Sequence, residues 1–180
     1  MNLADETEIV ERCREGDLTA YRMIYDRYEQ PFLRTACRML GRKEEAEDAV
    51  QEAFLKLYRG IGGFERGARF STYFFRILMN TCYDVLRKRG KADFEDLDPE
   101  AVPVPPAHEL RHCLADAVER LPRQMKACFV LFAVEEFTHE EVARILDLSP
   151  GSVKVNIHRA RKKLRAWLAA SAEGEAEHGL

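Results

Sequence analysis

The sequence predicts an all-α fold: two small helical domains joined by an acidic, proline-rich linker, the second domain built on a helix-turn-helix. Three observations predict it. Apolar residues recur every three or four positions through most of the chain, with no convincing strand alternation. Four prolines, Pro99, Pro103, Pro105 and Pro106, crowd into Ala92–His108, where they exclude a helix. Beyond that strip, a window without Asp or Glu but rich in Lys and Arg runs from Leu148 to Ala172.

The first domain is expected over 1–92. Between Glu44 and Arg59, Ala46, Val50, Ala53, Phe54, Leu57 and Tyr58 lie on one helical face. Asp48, Gln51, Glu52 and Leu55 lie on the opposite one. Leu55 is thus an exposed leucine ringed by polar groups. Such a residue is often without consequence, but on an acid-rich face it also suits docking to a basic partner. A second long helix is expected over Phe70–Arg89, with Phe74, Ile77, Leu78 and Val85 inward and Arg69, Thr72, Arg76, Asn80, Tyr83 and Arg87 on its polar face. The glycine-rich "GIGGFERGARF" precedes it. Basic residues interleaved with aromatics suit single-stranded nucleic acid, and a flexible loop beside them suits a flipped base. Helical spacing equally places several of these rings, Phe74 and Phe70 first, in a core.

The linker is expected over 93–108. Sixteen or so extended residues span roughly 50 Å at ~3.1 Å each. The second domain is expected over 109–170, with a disordered tail at 171–180. Leu110, Leu114, Ala117, Val118 and Leu121 mark one helix, and Pro122 suits the first turn of the next, through Val134. In "THEEVARILDLSPGSVKVNIHRARKKL", Thr138 is an N-cap with Glu141 completing a capping box. A short turn follows, then a second N-cap, Ser149, with Pro150 at the first helical position. Val153, Ile157, Ala160 and Leu164 form a buried stripe with a basic face opposite. A solvated basic face on an amphipathic helix is the plain alternative. Caps, turn length and a basic second helix together indicate a DNA-binding helix-turn-helix. Ser152, Lys154, Val155, Asn156 and Arg159 then sit where base edges are read. Arg161 and Lys162 are placed for phosphates, which fix register without reading sequence.

Charge follows the same divisions. The chain of 180 residues is net −3. Residues 1–92 carry 17 Lys+Arg against 15 Asp+Glu, and 109–170 carry 11 against 8. The linker holds five acids and no Lys or Arg, so an acidic strip separates two mildly basic blocks. Hydrophobic content of 46% excludes a wholly disordered chain. No apolar run approaches the ~20 residues of a bilayer span, and "MNLADETEIVER" is no signal peptide, so a cytoplasmic protein is expected. Five scattered cysteines without a CxxC pair suit a reducing compartment. No phosphate loop, nucleophile motif or paired catalytic carboxylates stand out, so neither an enzyme nor a cofactor is expected. His108, His112 and Cys113 have ligand chemistry, but at a helix start this spacing is more often incidental, and no metal is expected.

In combination and order, "EEAEDAVQEAFLKLYRGIGGFERGARFSTYFFRILMNTCYDVLRKR", the acidic linker and "LPRQMKACFVLFAVEEFTHEEVARILDLSPGSVKVNIHRARKKLR" resemble a bacterial RNA polymerase sigma factor of the extracytoplasmic-function (ECF) group over about residues 5–168. The resemblance implies a subunit that carries core RNA polymerase to promoter DNA and is held inactive by an anti-sigma factor. It implies Asp48, Gln51, Glu52 and Leu55 as polymerase-docking residues. It places Phe64, Arg69, Arg76, Asn80 and Arg87 at the melted −10 element and the second domain at the −35 element. Two departures stand out. Tyr73 replaces the family's usual tryptophan, and Val155-Asn156 replaces a frequent Ser-Arg pair, so the −35 preference does not transfer. The linker acids Asp93, Glu95, Asp96, Asp98 and Glu100 would either mimic phosphate in the RNA channel or act as a solvated tether. The rival reading is a free-standing helix-turn-helix regulator that binds DNA without polymerase.

Overall fold

The computed structural model describes residues 3–65, 69–89 and 116–177. Every regular element among them is helical: α1 (Leu3–Arg14), α2 (Leu18–Leu40), α3 (Lys43–Gly60), a 3-10 turn (Ile61–Gly63), α4 (Phe70–Lys88), α5 (Arg123–Ala133), α6 (His139–Leu146) and α7 (Pro150–Glu177). A helical turn at 116–119 precedes α5. The linker at 93–108, with its acids, lies outside the described residues. So do His108, His112 and Cys113.

Local chemistry sets the helix ends. Asp17 caps α2, its carboxylate accepting from the backbone N–H of Thr19 at 2.8 Å and of Ala20 at 3.3 Å. Gly41 ends α2 in the left-handed region, φ 72°, its N–H reaching the Cys37 carbonyl at 2.8 Å. Glu44 and Glu45 sit in the first turn of α3, where carboxylates complement the helix dipole. Pro31 stands inside α2 and removes one backbone donor. The adjoining Phe32, wholly buried, helps hold that stretch in place.

An aromatic cluster organises the first module. Phe32 and Phe74, both fully buried, have ring centroids 4.4 Å apart. Tyr28, Phe54 and Phe70 surround Phe74 at 5.1–5.7 Å. Phe75 lies 4.8 Å from Phe32. Cys13, Cys82 and Cys128 are buried and serve as small apolar groups. Burial pushes the Cys82 thiol up to about 12 and those of Cys13 and Cys128 up to about 11.

Four sequence expectations change. The two modules are packed together rather than apart: Leu131, Phe137, Val142 and Ile145 join the residues of α1–α4 in one cluster, while Val118, Leu121, Val130, Ala160 and Leu164 form the second module's own. Thr72 and Tyr83, expected on the polar face of α4, are buried and half-buried, because that side of α4 packs on the second module. Tyr58, expected inward, is 56% exposed. Finally, α7 continues through Glu177, past the start of the expected tail. The run "AWLAASAEGEAE" is dominated by good helix formers and contains no proline.

Phe74→Ala should cost about 3–5 kcal/mol of stability, read as a lowered midpoint in urea denaturation followed by circular dichroism.

Candidate nucleic-acid and partner-binding surfaces

The first surface is the outer face of α3. Ala46, Ala49, Val50, Ala53 and Leu57 turn inward. The period of 3.6 therefore turns Asp48 and Gln51 out to solvent, with Glu52 half-buried and Leu55 48% exposed. Asp48, Gln51 and Glu52 have no hydrogen-bonding partner among the described residues. Around Leu55 the apolar surface is wider than the sequence indicated. Tyr58 is one turn on and lies 4.9 Å from Tyr21 of α2, while Tyr25 packs 4.9 Å from Phe54. Leu18 is 71% exposed at the start of α2. Exposed apolar groups of this number, rimmed by carboxylates, have the chemistry that suits a partner-binding surface. The sequence concealed it because Tyr58 falls in register with the buried stripe.

The second surface is α4 and the loop before it. Arg76, Asn80 and Arg87 are exposed, and Arg87 pairs with Asp84 at 2.8 Å. Phe64, expected at the nucleic acid, is instead a core residue at 8% exposure, its ring 5.1 Å from Tyr73 and 5.7 Å from Phe70. Tyr73 is half-buried too, and its hydroxyl donates to the Gly60 carbonyl at 3.2 Å. Arg14 reaches this loop from α1, donating to the carbonyls of Ile61, at 3.3 Å, and Phe64. Nothing in the local pattern of α1 signalled that role. Arg69, at the start of α4, forms an ion pair with Glu141 of α6, Nη1 to Oε1 at 2.5 Å.

The third surface is the α6–turn–α7 unit. Both halves of the capping box are present: the Glu141 N–H donates to Thr138 Oγ1 at 3.2 Å, and the Thr138 N–H donates to Glu141 Oε2 at 2.9 Å. Asp147 closes α6 at φ 56°, and the N–H of Leu148 returns to the Ala143 carbonyl at 2.9 Å. Ser149 caps α7, accepting from the Ser152 N–H at 3.1 Å. Val153, Ile157, Ala160 and Leu164 are buried, as the spacing requires. Opposite them Ser152, Lys154, Val155, Arg159, Arg161 and Lys162 are exposed and Asn156 is half-buried. The Asn156 amide donates to the Ser152 carbonyl at 2.9 Å. Arg161 lies 5.3 Å over the Phe132 ring of α5, which holds its guanidinium at the helix flank.

Residues 24–92 match the family described as Sigma-70 region 2, and residues 111–164 match Sigma-70, region 4. The chain is 30% identical to the ECF RNA polymerase sigma factor SigW of Bacillus subtilis, over 88% of this chain and 94% of that one. The chain is an ECF RNA polymerase sigma factor.

It is also 28% identical to the ECF RNA polymerase sigma-E factor of Escherichia coli K12, over 87% of this sigma factor and 90% of the other. Its fold is similar to that of CnrH, solved in complex with the cytosolic domain of CnrY: TM-score 0.71, 25% identity, covering 90% of this chain and 96% of that one. It is similar as well to RpoE from Bartonella quintana, solved with the anti-sigma factor NepR: TM-score 0.69, 25% identity, covering 83% and 96%. The sigma factor therefore directs RNA polymerase to promoters, and the reading as a free-standing regulator is set aside. No helix among the described residues is long and apolar enough to cross a membrane.

Glu141, read from the sequence only as a capping residue, has a second partner in Arg69. Burial pushes its carboxyl up, but the Arg69 guanidinium and the Thr138 hydrogen bonds outweigh burial and hold it below the ordinary 4.5. A folded-state value below the unfolded one contributes stability that is present above the ordinary glutamate value and lost as pH falls through the lowered one. Glu141→Gln should accordingly flatten the acid side of a stability-versus-pH curve. Thr138→Ala, which removes the cap hydroxyl, should cost about 1 kcal/mol near neutral pH, measured by chemical denaturation.

Proposed function

We propose that the three surfaces divide the work of promoter recognition. The α3 face docks on core RNA polymerase through Asp48, Gln51, Glu52 and Leu55, with Tyr58 extending the contact. Arg76, Asn80 and Arg87 of α4 meet the melted −10 strand, joined by Arg69 when it leaves Glu141. Phe64 supports the loop from beneath. The start of α7 enters the major groove at the −35 element, where Ser152, Lys154, Val155, Asn156 and Arg159 face base edges. Arg161 and Lys162 take backbone phosphates. Val155, 48% exposed, offers an aliphatic contact for a thymine methyl.

The observation that carries this reading is Leu55, half out in solvent beside three polar groups without partners among the described residues, on the module whose α4 face is basic. Interfaces concentrate their binding energy in a few such central residues. An anti-sigma factor that covers the α3 face would silence the protein by competition, as suits a chain whose structural relatives were solved with such partners. The sigma factor then acts in the cytoplasm by placing polymerase.

Equilibrium binding to purified core polymerase tests the docking role. Leu55→Ala and Asp48→Ala should each weaken binding about tenfold, the loss of a moderate hot spot. Arg76→Ala and Asn80→Ala should leave it unchanged while reducing promoter opening, followed by permanganate reactivity of the −10 strand. Unweakened core binding by both α3 variants would refute the docking role. On a −35 duplex bound by holoenzyme, Lys162→Ala should lower the slope of log affinity against log salt by about one.

A further inference from the structure

Helix α1 lies outside residues 24–92, the stretch that matches Sigma-70 region 2, yet it braces the loop that leads into α4. The helix itself is well anchored. Ile9, Val10 and Cys13 are buried in the core, and Arg12 pairs with Asp17, the cap of α2, at 2.7 Å. Arg14 ends the helix with all three guanidinium nitrogens engaged. Nε donates to the Ile61 carbonyl at 3.3 Å, Nη2 donates to the Phe64 carbonyl, and Nη1 meets a Glu11 carboxylate oxygen at 2.9 Å.

Ile61 and Phe64 are the two ends of one turn, in which the Phe64 N–H donates to the Ile61 carbonyl at 3.2 Å. A guanidinium is a rigid planar fork, so one that holds both carbonyls fixes their spacing and direction. A third carbonyl of this segment, that of Gly60, accepts from the Tyr73 hydroxyl at 3.2 Å. The peptides are trans, and in a planar trans peptide the N–H points opposite to the C=O. With the Phe64 carbonyl turned to Arg14, the Glu65 N–H is turned away from α1. Gly62, Gly63 and Glu65 are exposed. Two successive glycines leave a backbone free to take many shapes, and Arg14 supplies the constraint they lack.

We propose that Arg14 is a positioning residue for −10 readout: it holds the backbone of the 61–65 turn in the one shape that discriminates among the bases of the melted strand. This rests on the assignment of α4 and the loop before it to the −10 element. Arg14 acts without touching DNA, since it is half-buried and its donors are spent on protein. Discrimination needs polar groups that stay in place, because a loop that adapts to each base binds the wrong ones nearly as well as the right one. Loss of Arg14 therefore lowers selectivity and leaves docking through α3 intact.

Transcription of genomic DNA by wild-type holoenzyme supplies a promoter for the test. That promoter is randomised over its −10 element and re-selected by holoenzymes carrying Arg14→Ala, Arg14→Lys or Asn80→Ala. Arg14→Ala should cut enrichment of the preferred base at the most selective position about fivefold or more, the worth of one well-read base, with core affinity unchanged. Arg14→Lys keeps the charge but not the two-pronged hold, so it should lose selectivity as well. An arginine that met a phosphate would behave differently. Arg14→Lys would then keep selectivity, and Arg14→Ala would weaken all sequences alike while lowering the salt slope by about one. That result would overturn the proposal, as would wild-type selectivity in both Arg14 variants. Asn80→Ala separates the two claims. If it impairs promoter opening while Arg14→Ala keeps its selectivity, the positioning role alone falls. If neither variant changes −10 selection or opening, the assignment of the −10 face falls too. Were Arg14→Ala to unfold in circular dichroism, Arg14→Lys carries the selection, together with native-state hydrogen exchange. Amides of the 61–65 turn should exchange faster in Arg14→Lys than in wild type while those of α4 hold steady. Equal exchange in the turn would refute the hold.

Discussion

Phe75 is the residue through which the two halves of the molecule become one body. Its ring lies against Phe32 on one side and Phe137 on the other, so the aromatic cluster of α2–α4 continues into the helix-turn-helix module. Ring pairs of this kind contribute roughly 0.5–1.5 kcal/mol beyond the burial of their area. The burial itself is what keeps α6 on α4. The ion pair of Arg69 with Glu141 and the hydrogen bond of Thr35 to Glu135 cross the same interface.

For a protein with two basic faces, the chain carries little net charge, −3. Each basic face is small, and in the docked molecule a carboxylate of the opposite module already occupies Arg69. Affinity for nucleic acid rises with the number of phosphates neutralised. Two basic faces this small favour weak binding of duplex by the chain alone. The acids on the exposed face of α3 add to this, since they repel DNA while presenting a surface that suits a partner.

The sequence made the local structure legible because local structure obeys short-range rules. Helix α3 was readable from the spacing of Ala46, Val50, Ala53 and Leu57. The α6–α7 unit was readable from Thr138, Glu141, Ser149 and Pro150, since a cap depends on groups three residues apart. The exposed set on α3, with Leu55 among it, followed from the same periodicity. What failed were statements about faces that meet another module. Thr72 and Tyr83 read as polar surface, yet they are covered by residues far along the chain. Phe64 read as a ligand-facing ring in a glycine loop, yet it fills the space between Phe70 and Tyr73. Glu141 lies 72 positions from Arg69 and Glu135 lies 100 from Thr35. No periodicity within a helix encodes such pairings.

Hydrogen exchange on the full-length sigma factor, free and bound to core polymerase, addresses most directly whether the α3 face is the docking surface. Amides of α3 around Leu55 should gain protection on core binding. Protection around Leu55 that is the same in the free and bound chain would contradict docking through that face.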